Sequence, residues 1–274
     1  MFPTEIVDHI LSVLHSDQDY TTLEKCSAVF PQIVDRLLYS QITLFIVSDY
    51  ALFAVVPSRC PFYHRIEPTY YVVDPTKISD MLVERPHVAN YVRVIQIVIR
   101  VMLSPSHGFP SQRLRDGISV TSSILSSLPL IESIMVSSPI RKVAWATLGP
   151  EFCTAFGSSV RLPSIKSIAI SNMQDLSLDH FDDCKDLRNL FLDGRFINGD
   201  RVSTSYPCLR SLHVDSHPDL TRVVSWMKSN TLRTLSLRLH SGYSLPNFRT
   251  LIEACSPTLV NLDINHNYNY LRQS

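Results

Sequence analysis

Apolar residues recur along the second half of the chain in one short spacing, at the first, fourth and sixth positions of a phrase. The phrase occurs at Ile165-Ile168-Ile170, Leu187-Leu190-Leu192, Leu209-Leu212-Val214, Leu232-Leu235-Leu237 and Leu259-Leu262-Ile264. Successive phrases start at nearly equal intervals, and the last interval is the longest. Successive side chains of a strand point to opposite faces of a sheet, so each phrase predicts a strand with one buried face.

Earlier segments carry the same spacing less regularly. Val92-Ile95-Ile97 predicts a strand, and so do Ile131-Ile134-Val136 and Ile140-Val143-Trp145. The last two start only nine residues apart, too close for a helix between them, so they form either a hairpin or adjacent strands with a tight connection. A further strand is predicted over 42–47 and a helix over 111–127. The predicted buried side of that helix consists of Leu114, Ile118, Ile124 and Leu125.

The repeat period of the phrase, roughly 22 to 27 residues, is typical of leucine-rich repeats, in which each unit supplies one strand and one helical or irregular return. The sequence therefore predicts an α/β fold, an irregular leucine-rich-repeat solenoid with a curved parallel sheet. A turn position that is often Asn in such repeats holds Met173, Arg195, His217 and His240, and only Asn267 fits. The expected array is irregular and closer to the longer-return, ribonuclease-inhibitor-like class.

Stacking the strands in register predicts two rows of side chains on the open face of the sheet. One row is Ala169, Phe191, His213, Ser236 and Asp263, and the other is Ser171, Asp193, Asp215, Arg238 and Asn265. We expect an exposed Phe191 to anchor a target there, with His213, Asp215, Arg238 and Asp263 around it. The alternative is an ordinary solvated face whose ligand, if any, binds the loops.

The first 44 residues predict a separate helical unit. Residues 4–14 have a wide apolar stripe, and a second short helix is expected through Leu23, Cys26 and Val29. Pro31 ends that helix and begins a third. Three short helices cannot bury all of their apolar surface among themselves, so part of it is expected to meet a partner. The unit carries six acidic and two basic residues.

These residues resemble a known family. Phe2-Pro3-Thr4-Glu5-Ile6-Val7-Asp8-His9-Ile10-Leu11 resembles the opening of an F-box, Cys26-Ser27-Ala28-Val29-Phe30 its second helix, and Leu38-Tyr39-Ser40-Gln41-Ile42-Thr43-Leu44 its exit. The family usually has Leu where this chain has Phe2, and often a tryptophan in the third helix. The resemblance implies docking onto the adaptor subunit of cullin–RING ubiquitin ligases. The matching positions are Phe2, Pro3, Ile6, Ile10, Leu14, Leu23, Cys26 and Phe30. Alternatively, these residues are the interior of a helical cap.

A second phrase carries the same resemblance. Pro86-His87-Val88-Ala89-Asn90-Tyr91-Val92-Arg93 is similar to a phrase that introduces the first clear repeat in many basidiomycete F-box proteins. It follows a proline-rich segment, 57–75, and a predicted helix that begins at Asp74 or Thr76 and ends before Pro86. The predicted organisation is an F-box-like domain over 1–44, a connecting region over 45–90 and the repeats over 91–274.

Composition narrows the function classes. The net charge is zero and no basic cluster with interleaved aromatics is present, so neither nucleic acid nor a membrane surface is an expected partner. The six cysteines contain no C-x-x-C pair. No signal peptide or Asn-x-Ser/Thr acceptor is apparent, so we expect a reduced, cytoplasmic or nuclear setting with the cysteines as small core residues.

Catalytic and metal sites have little support in the sequence. His213 and His217 have metal-like spacing, but one lies in a predicted strand and Pro218 follows the other. Cys184 follows Asp179, His180, Asp182 and Asp183, yet its periodicity predicts the core, and the acids fit the solvated face of a helix. No phosphate loop, nucleophile elbow or dinucleotide fingerprint occurs, so no cofactor and no enzymatic activity are expected.

The sequence therefore predicts the substrate-recognition subunit of an SCF-type cullin–RING ubiquitin ligase. Its F-box would bind the adaptor and through it the cullin, and its repeats would bind an unknown target protein. The alternative is a non-ligase interaction scaffold with a degenerate helical cap.

Overall fold

The computed structural model describes residues 30–47, 72–101, 111–199, 207–215, 220–227, 231–240 and 245–267, together with His9, Val13 and Cys26. These residues form an α/β protein with one parallel sheet whose strands alternate with helices. The strand order is β2-β1-β3-β4-β6-β7-β8-β9-β10, and β5 pairs with β6 off this path. From β1 onward, apart from the short edge strand β2, each new strand of the main path is added beside the one before it.

The strands occupy short, largely apolar segments. They are β1 (Gln41–Val47), β2 (Val72–Val73), β3 (Val94–Arg100), β4 (Ser133–Ser137), β5 (Val143–Ala144), β6 (Ser167–Ser177), β7 (Asn189–Ile197), β8 (Ser211–Asp215), β9 (Thr234–His240) and β10 (Asn261–Asn267). The strands predicted from the apolar phrases, and the strand predicted over 42–47, are confirmed. The predicted boundary at residue 44 falls inside β1, which pairs with β3 along its whole length and so belongs to the same sheet as the repeats.

The described helices lie in the connections and before β1. They are α1 (Pro31–Tyr39), α2 (Pro75–Glu84), α3 (Gln112–Ser127), α4 (Gly149–Ser159), α5 (Thr221–Trp226) and α6 (Leu245–Cys255), with 3-10 turns at Pro86–Asn90, Trp145–Leu148 and Leu178–His180. The helices predicted after Pro31, after Asp74 and over 111–127 are confirmed. Of the first two predicted helices, only His9, Val13 and Cys26 lie among the described residues, and all three are helical.

Both sequence alternatives for 131–145 are wrong. Ser133–Ser137 pairs with residues 167–171 of β6, and β5 pairs in the same parallel direction with Met173 and Gln174. β4 and β5 therefore lie end to end along one edge of β6. They resemble a single strand interrupted by the residues between them, so they form neither a hairpin nor neighbouring strands.

One side of the sheet carries the core. The two inward rows run through Ile42, Ile95, Ile134, Ile168, Leu190, Leu212 and Leu235, and through Leu44, Ile97, Val136, Ile170, Leu192, Val214 and Leu237. All of these are at most 2% exposed and share one apolar cluster with the buried residues of the helices. The rows end on Leu262 and Ile264 of β10, which are 46% and 49% exposed.

The sheet is open and not strongly curled, contrary to the curved sheet that we expected. A repeat sheet curls when every return is a helix, because packed helices lie about 8–10 Å apart and strands only about 4.7–4.9 Å apart. Among the described residues, the return from β6 to β7 contains only the three-residue turn Leu178–His180, and α5 has six residues. Such short connections occupy little width, so they do not force the strands apart on that side of the sheet.

Two extra residues in β6 change which of its side chains face the core. Its pairing with β7 slips between Ser171 and Met173 and again between Gln174 and Leu176. Asn172 and Asp175, at these slips, have φ of 57° and 60°, a left-handed conformation that Asn and Asp tolerate better than most residues. After the first slip, Met173 turns inward and is fully buried opposite Gly194 of β7.

The start of α2 gives a first testable prediction. The Asp74 side chain accepts a hydrogen bond from the backbone N–H of Thr76, 3.0 Å away. It accepts another from the hydroxyl group of Thr76. These bonds, led by that of the hydroxyl, lower the pKa of Asp74 below its usual 3.8. We expect Asp74→Ala to lower the free energy of unfolding by about 1 kcal/mol at pH 7, measured by urea denaturation.

The pH dependence of this cap has a defined sign. Because the folded-state pKa is depressed, the contribution is present above pH 3.8 and is lost as the pH falls through the folded value. The difference in the free energy of unfolding between wild type and Asp74→Ala should therefore become smaller only in that acid range. A difference that stayed constant down to about pH 2 would contradict the cap.

Candidate functional site

The open face of the sheet carries the two rows predicted from the sequence. Backbone pairing aligns Thr43, Gln96, Met135, Ala169, Phe191, His213, Ser236 and Asp263 in the first row. It aligns Phe45, Val98, Ser137, Ser171, Asp193, Asp215, Arg238 and Asn265 in the second. The register of the predicted rows is confirmed, and both rows extend across β1, β3 and β4.

The predicted exposure of Phe191 is wrong. Its ring is only 3% exposed and stacks on the His213 ring, with centroids 4.2 Å apart and an angle of 9° between the planes. The two residues are direct cross-strand neighbours, and cross-strand rings on one face approach closely enough to cover each other. Phe191 is thus part of a packed platform and does not project as an apolar anchor.

His213, Ser236 and Asp263 form a chain of hydrogen-bonded side chains beside that platform. His213 Nδ1 lies 2.9 Å from Ser236 Oγ, and Ser236 Oγ donates to Asp263 Oδ2 at 3.2 Å. A nucleophilic triad needs the histidine between the hydroxyl and the carboxylate. Here the serine is in the middle, so the carboxylate draws the hydroxyl proton away from the imidazole. The arrangement fixes the positions of three polar side chains but does not activate a nucleophile.

The other two predicted target-binding residues, Asp215 and Arg238, lie in the adjacent row. Asp263 is exposed and Arg238 half-buried, while Asp215 is described through its backbone alone. Asp193, in the row of Asp215 and Arg238, accepts a hydrogen bond of 2.8 Å from Ser171 Oγ. Whether these residues bind a target stays a prediction. The sheet holds them on one face.

Arg100 is a residue of the same face that the sequence analysis missed. It ends β3 in register with Val47, and its guanidinium carbon lies 5.1 Å from the centroid of the Phe45 ring. The residue is 8% exposed. Its sequence signal is a charged residue that directly follows the apolar run Val98-Ile99 in a strand.

Most predicted adaptor-binding positions fall outside the described residues: Phe2, Pro3, Ile6, Ile10, Leu14 and Leu23. Of the other two, Phe30 is 37% exposed and Cys26 is half-buried against the apolar core. Val13 is also exposed. Phe30 is therefore available to a partner, whereas Cys26 contributes to internal packing.

A buried carboxylate attaches α1 to the segment between α2 and β3. Asp35 accepts from Arg85 Nη1 at 2.9 Å and lies 3.2 Å from His87 Nε2. Arg85 also donates to the Tyr39 hydroxyl at 2.8 Å. His87 belongs to the phrase that resembles the basidiomycete proteins, and this contact gives the phrase a physical role. It holds the last helix of the N-terminal unit against the 3-10 turn that precedes β3.

The acidic segment before Cys184 is structural. Asp182, expected on a solvated helix face, is fully buried in the turn after Leu178–His180. Its carboxylate contacts Arg222 Nη2 and accepts from Trp226 Nε1 at 3.0 Å. Asp179 accepts from the same Arg222 nitrogen at 2.9 Å. The prediction of a solvated Asp182 is wrong, because its partners lie 40 and 44 residues away.

The Cys184 thiol is not set up as a nucleophile. Burial, reinforced by Asp183, raises its pKa to about 12. Its Sγ donates to the backbone carbonyls of His180 and Asp182, while the His180 ring packs near Trp145 and Phe156. A thiol with this pKa is protonated near neutral pH and weakly nucleophilic. Cys184 and Cys255 are core residues, as predicted, but Cys208 is exposed.

In the part of the chain that the structure describes, no group of three His, Cys, Asp or Glu side chains is arranged to hold a metal ion. No helix among those same residues has both the length and the apolar character needed to cross a bilayer.

Comparisons of the chain with protein-family models, with curated proteins and with solved structures found no match.

Proposed function

We propose that this chain is an F-box substrate receptor: its N-terminal helices bind the adaptor of a cullin–RING ubiquitin ligase, and the open sheet face binds a target protein. In this proposal the sheet is an irregular leucine-rich-repeat array. The chain itself carries no catalytic step, because ubiquitin transfer belongs to other subunits of the ligase.

The observation that carries the proposal is the continuity between the two units. α1 leads directly into β1, and Asp35 ties it to Arg85 and His87. A receptor must hold its target at a fixed position relative to the ligase, so the fixed attachment of α1 beside β1 suits that role. The exposure of Phe30 and Val13 supports a partner at the N-terminal helices.

One observation favours the alternative of a scaffold with a helical cap. Cys26 packs against the core, and Val34 and Leu38 of α1 belong to the core cluster. These contacts are what a cap needs to close the end of an open sheet. The two functions differ in the exposed residues, since a cap has no use for an apolar side chain at Phe30.

The test is affinity capture of the full chain from cells, followed by detection of the adaptor and cullin. Phe30→Asp is the informative variant. Phe30 is the N-cap of α1 and makes no side-chain cap bond, and Asp is a favourable N-cap residue, so the change should preserve the helix. We expect at least a tenfold loss of captured adaptor. Val83→Asp, at a position 80% exposed on α2, is the matched control and should capture as wild type does.

Deleting residues 1–40 is a weaker test than this substitution. The deletion removes Val34, Asp35 and Leu38, which are all buried, and leaves β1 without α1 beside it. Lost capture would then report unfolding as readily as lost docking. Capture of other partners by the wild-type chain, with no adaptor or cullin, would favour the scaffold.

A further inference from the structure

Arg100 is a buried positive charge on the open face. In the described part of the chain, its Nε–H has no hydrogen-bond acceptor and no carboxylate forms an ion pair with its guanidinium. The Phe45 ring covers one face of the guanidinium. Such a contact offsets part of the cost of burial but accepts none of the N–H bonds, which point outward in the guanidinium plane.

The carboxylates among the described residues of the sheet face are too distant to neutralise Arg100. Among the described residues, Asp193 on β7 is the nearest acid in the two rows, and three strand intervals separate β7 from β3. At about 4.8 Å per interval this is roughly 14 Å, beyond any direct ion pair. Among the described residues of these rows, Asp193, Asp215, Asp263 and Arg238 therefore lie on β7–β10, while Arg100 lies at the β1–β3 end.

Burying a charge without a partner is costly, and a protein that keeps such a residue commonly uses it to bind a ligand. A guanidinium presents a planar fork of donors that fits carboxylate and phosphate oxygens. Val98 lies two residues before Arg100 on β3 and pairs with Ser137 of the neighbouring strand β4. Ser137 is buried and places a hydroxyl group on the same part of the face.

We propose that Arg100 binds an oxyanion, either a carboxylate or a phosphate group, on the molecule that this face recognises. The inference rests on the proposed function only in treating the face as the recognition surface. A target segment bound there carries an acidic or phosphorylated residue at the β1–β3 end. Phe45 holds the guanidinium plane in place, so the oxyanion binds at its free edge.

The test uses the full chain and two small anions as probes. Thermal unfolding is measured in sodium phosphate, sodium acetate and sodium chloride at matched ionic strength. At about ten times Kd, the bound anion should raise the Tm of wild type by about 3 °C over chloride. Arg100→Met should abolish that increase, whereas Arg115→Met, which removes an exposed arginine on α3, should retain it. A rise in Tm with phosphate alone indicates that Arg100 binds a phosphate group, and a rise with acetate alone indicates a carboxylate.

The Tm in chloride alone separates binding from a structural role. If Arg100 serves a ligand, Arg100→Met removes an unneutralised buried charge and leaves Tm unchanged or higher. Three results would overturn the proposal: no response of wild type to either anion, an equal response in Arg100→Met, or a Tm in chloride lowered by several degrees in that variant. Adaptor capture does not involve Arg100 and should be unchanged, so failure here is distinct from failure of the proposed function.

Discussion

Replacing Asp182 by Ala should lower the free energy of unfolding by about 3–5 kcal/mol, the cost of breaking a buried ion pair by removing one partner. Asp182 has no exposed surface, and its two oxygens contact Arg222 and the indole N–H of Trp226. Without the carboxylate, the largely buried guanidinium keeps Asp179 as an ion-pair partner, and the indole loses an acceptor. Urea denaturation of the purified chain measures the difference.

Two variants make this expectation specific. Asp182→Asn keeps an oxygen that can accept from Trp226 but removes the charge, so its loss should be smaller, about 1–3 kcal/mol. Asp186→Ala, at an exposed acid shortly after it in the chain, should change stability by less than about 0.5 kcal/mol. If Asp182→Ala behaved like Asp186→Ala, the buried network would not hold the returns together as described.

Gly194→Ala should lower the free energy of unfolding by about 3 kcal/mol or more. Gly194 has a φ of 147°, a conformation that costs other residues about 1–3 kcal/mol. A Cβ there would also collide with the backbone carbonyl of Met173, which cannot move aside because Met173 pairs with both Gly194 and Val143. The bulge in β6 is the reason that the two backbones approach so closely.

Gly149→Ala is the matched control for this collision. Gly149 also has a positive φ, 75°, but a Cβ there would meet no atom within 4 Å. Its loss should reflect backbone strain alone, about 1 kcal/mol. Equal losses at the two sites, in thermal or urea unfolding, would mean that the contact with Met173 is not the cause.

The strands and their register could be predicted because the repeat spacing is nearly constant. Nearly equal intervals between phrases align Phe191 with His213 and His213 with Ser236, and the structure has these pairs. The longer interval before Leu259 preserves the register as well, because Ser236 pairs with Asp263. Period-two alternation then assigns each side chain to a face.

The failures arose where distant residues meet. Phe191 looked exposed because alternation gives its direction but not the ring that covers it. Asp182 looked solvated because its partners, Arg222 and Trp226, lie 40 and 44 residues away. The bulges at Asn172 and Asp175 were also missed, since neither residue interrupts the apolar spacing of Ile165-Ile168-Ile170. Local pattern carries no information about such long-range contacts.

The isolation of Arg100 could not be predicted for the same reason. Its position at the end of an apolar strand is visible in the sequence, but its distance from the described carboxylates of the face depends on the strand order. That order places β3 three intervals from β7. A charged residue ending a buried strand is a usable signal only when the sheet is known.

The most direct test of the proposed function is binding between the purified full chain and purified ligase adaptor, followed by calorimetry. We predict a one-to-one complex for wild type and for Val83→Asp, and at least tenfold weaker binding for Phe30→Asp, because Phe30 is the exposed one of the two proposed docking positions that the structure describes. Circular dichroism should show that Phe30→Asp stays folded. No complex with the folded wild-type chain, or equal affinity of Phe30→Asp and wild type, would contradict the assignment of these helices as an adaptor-binding F-box.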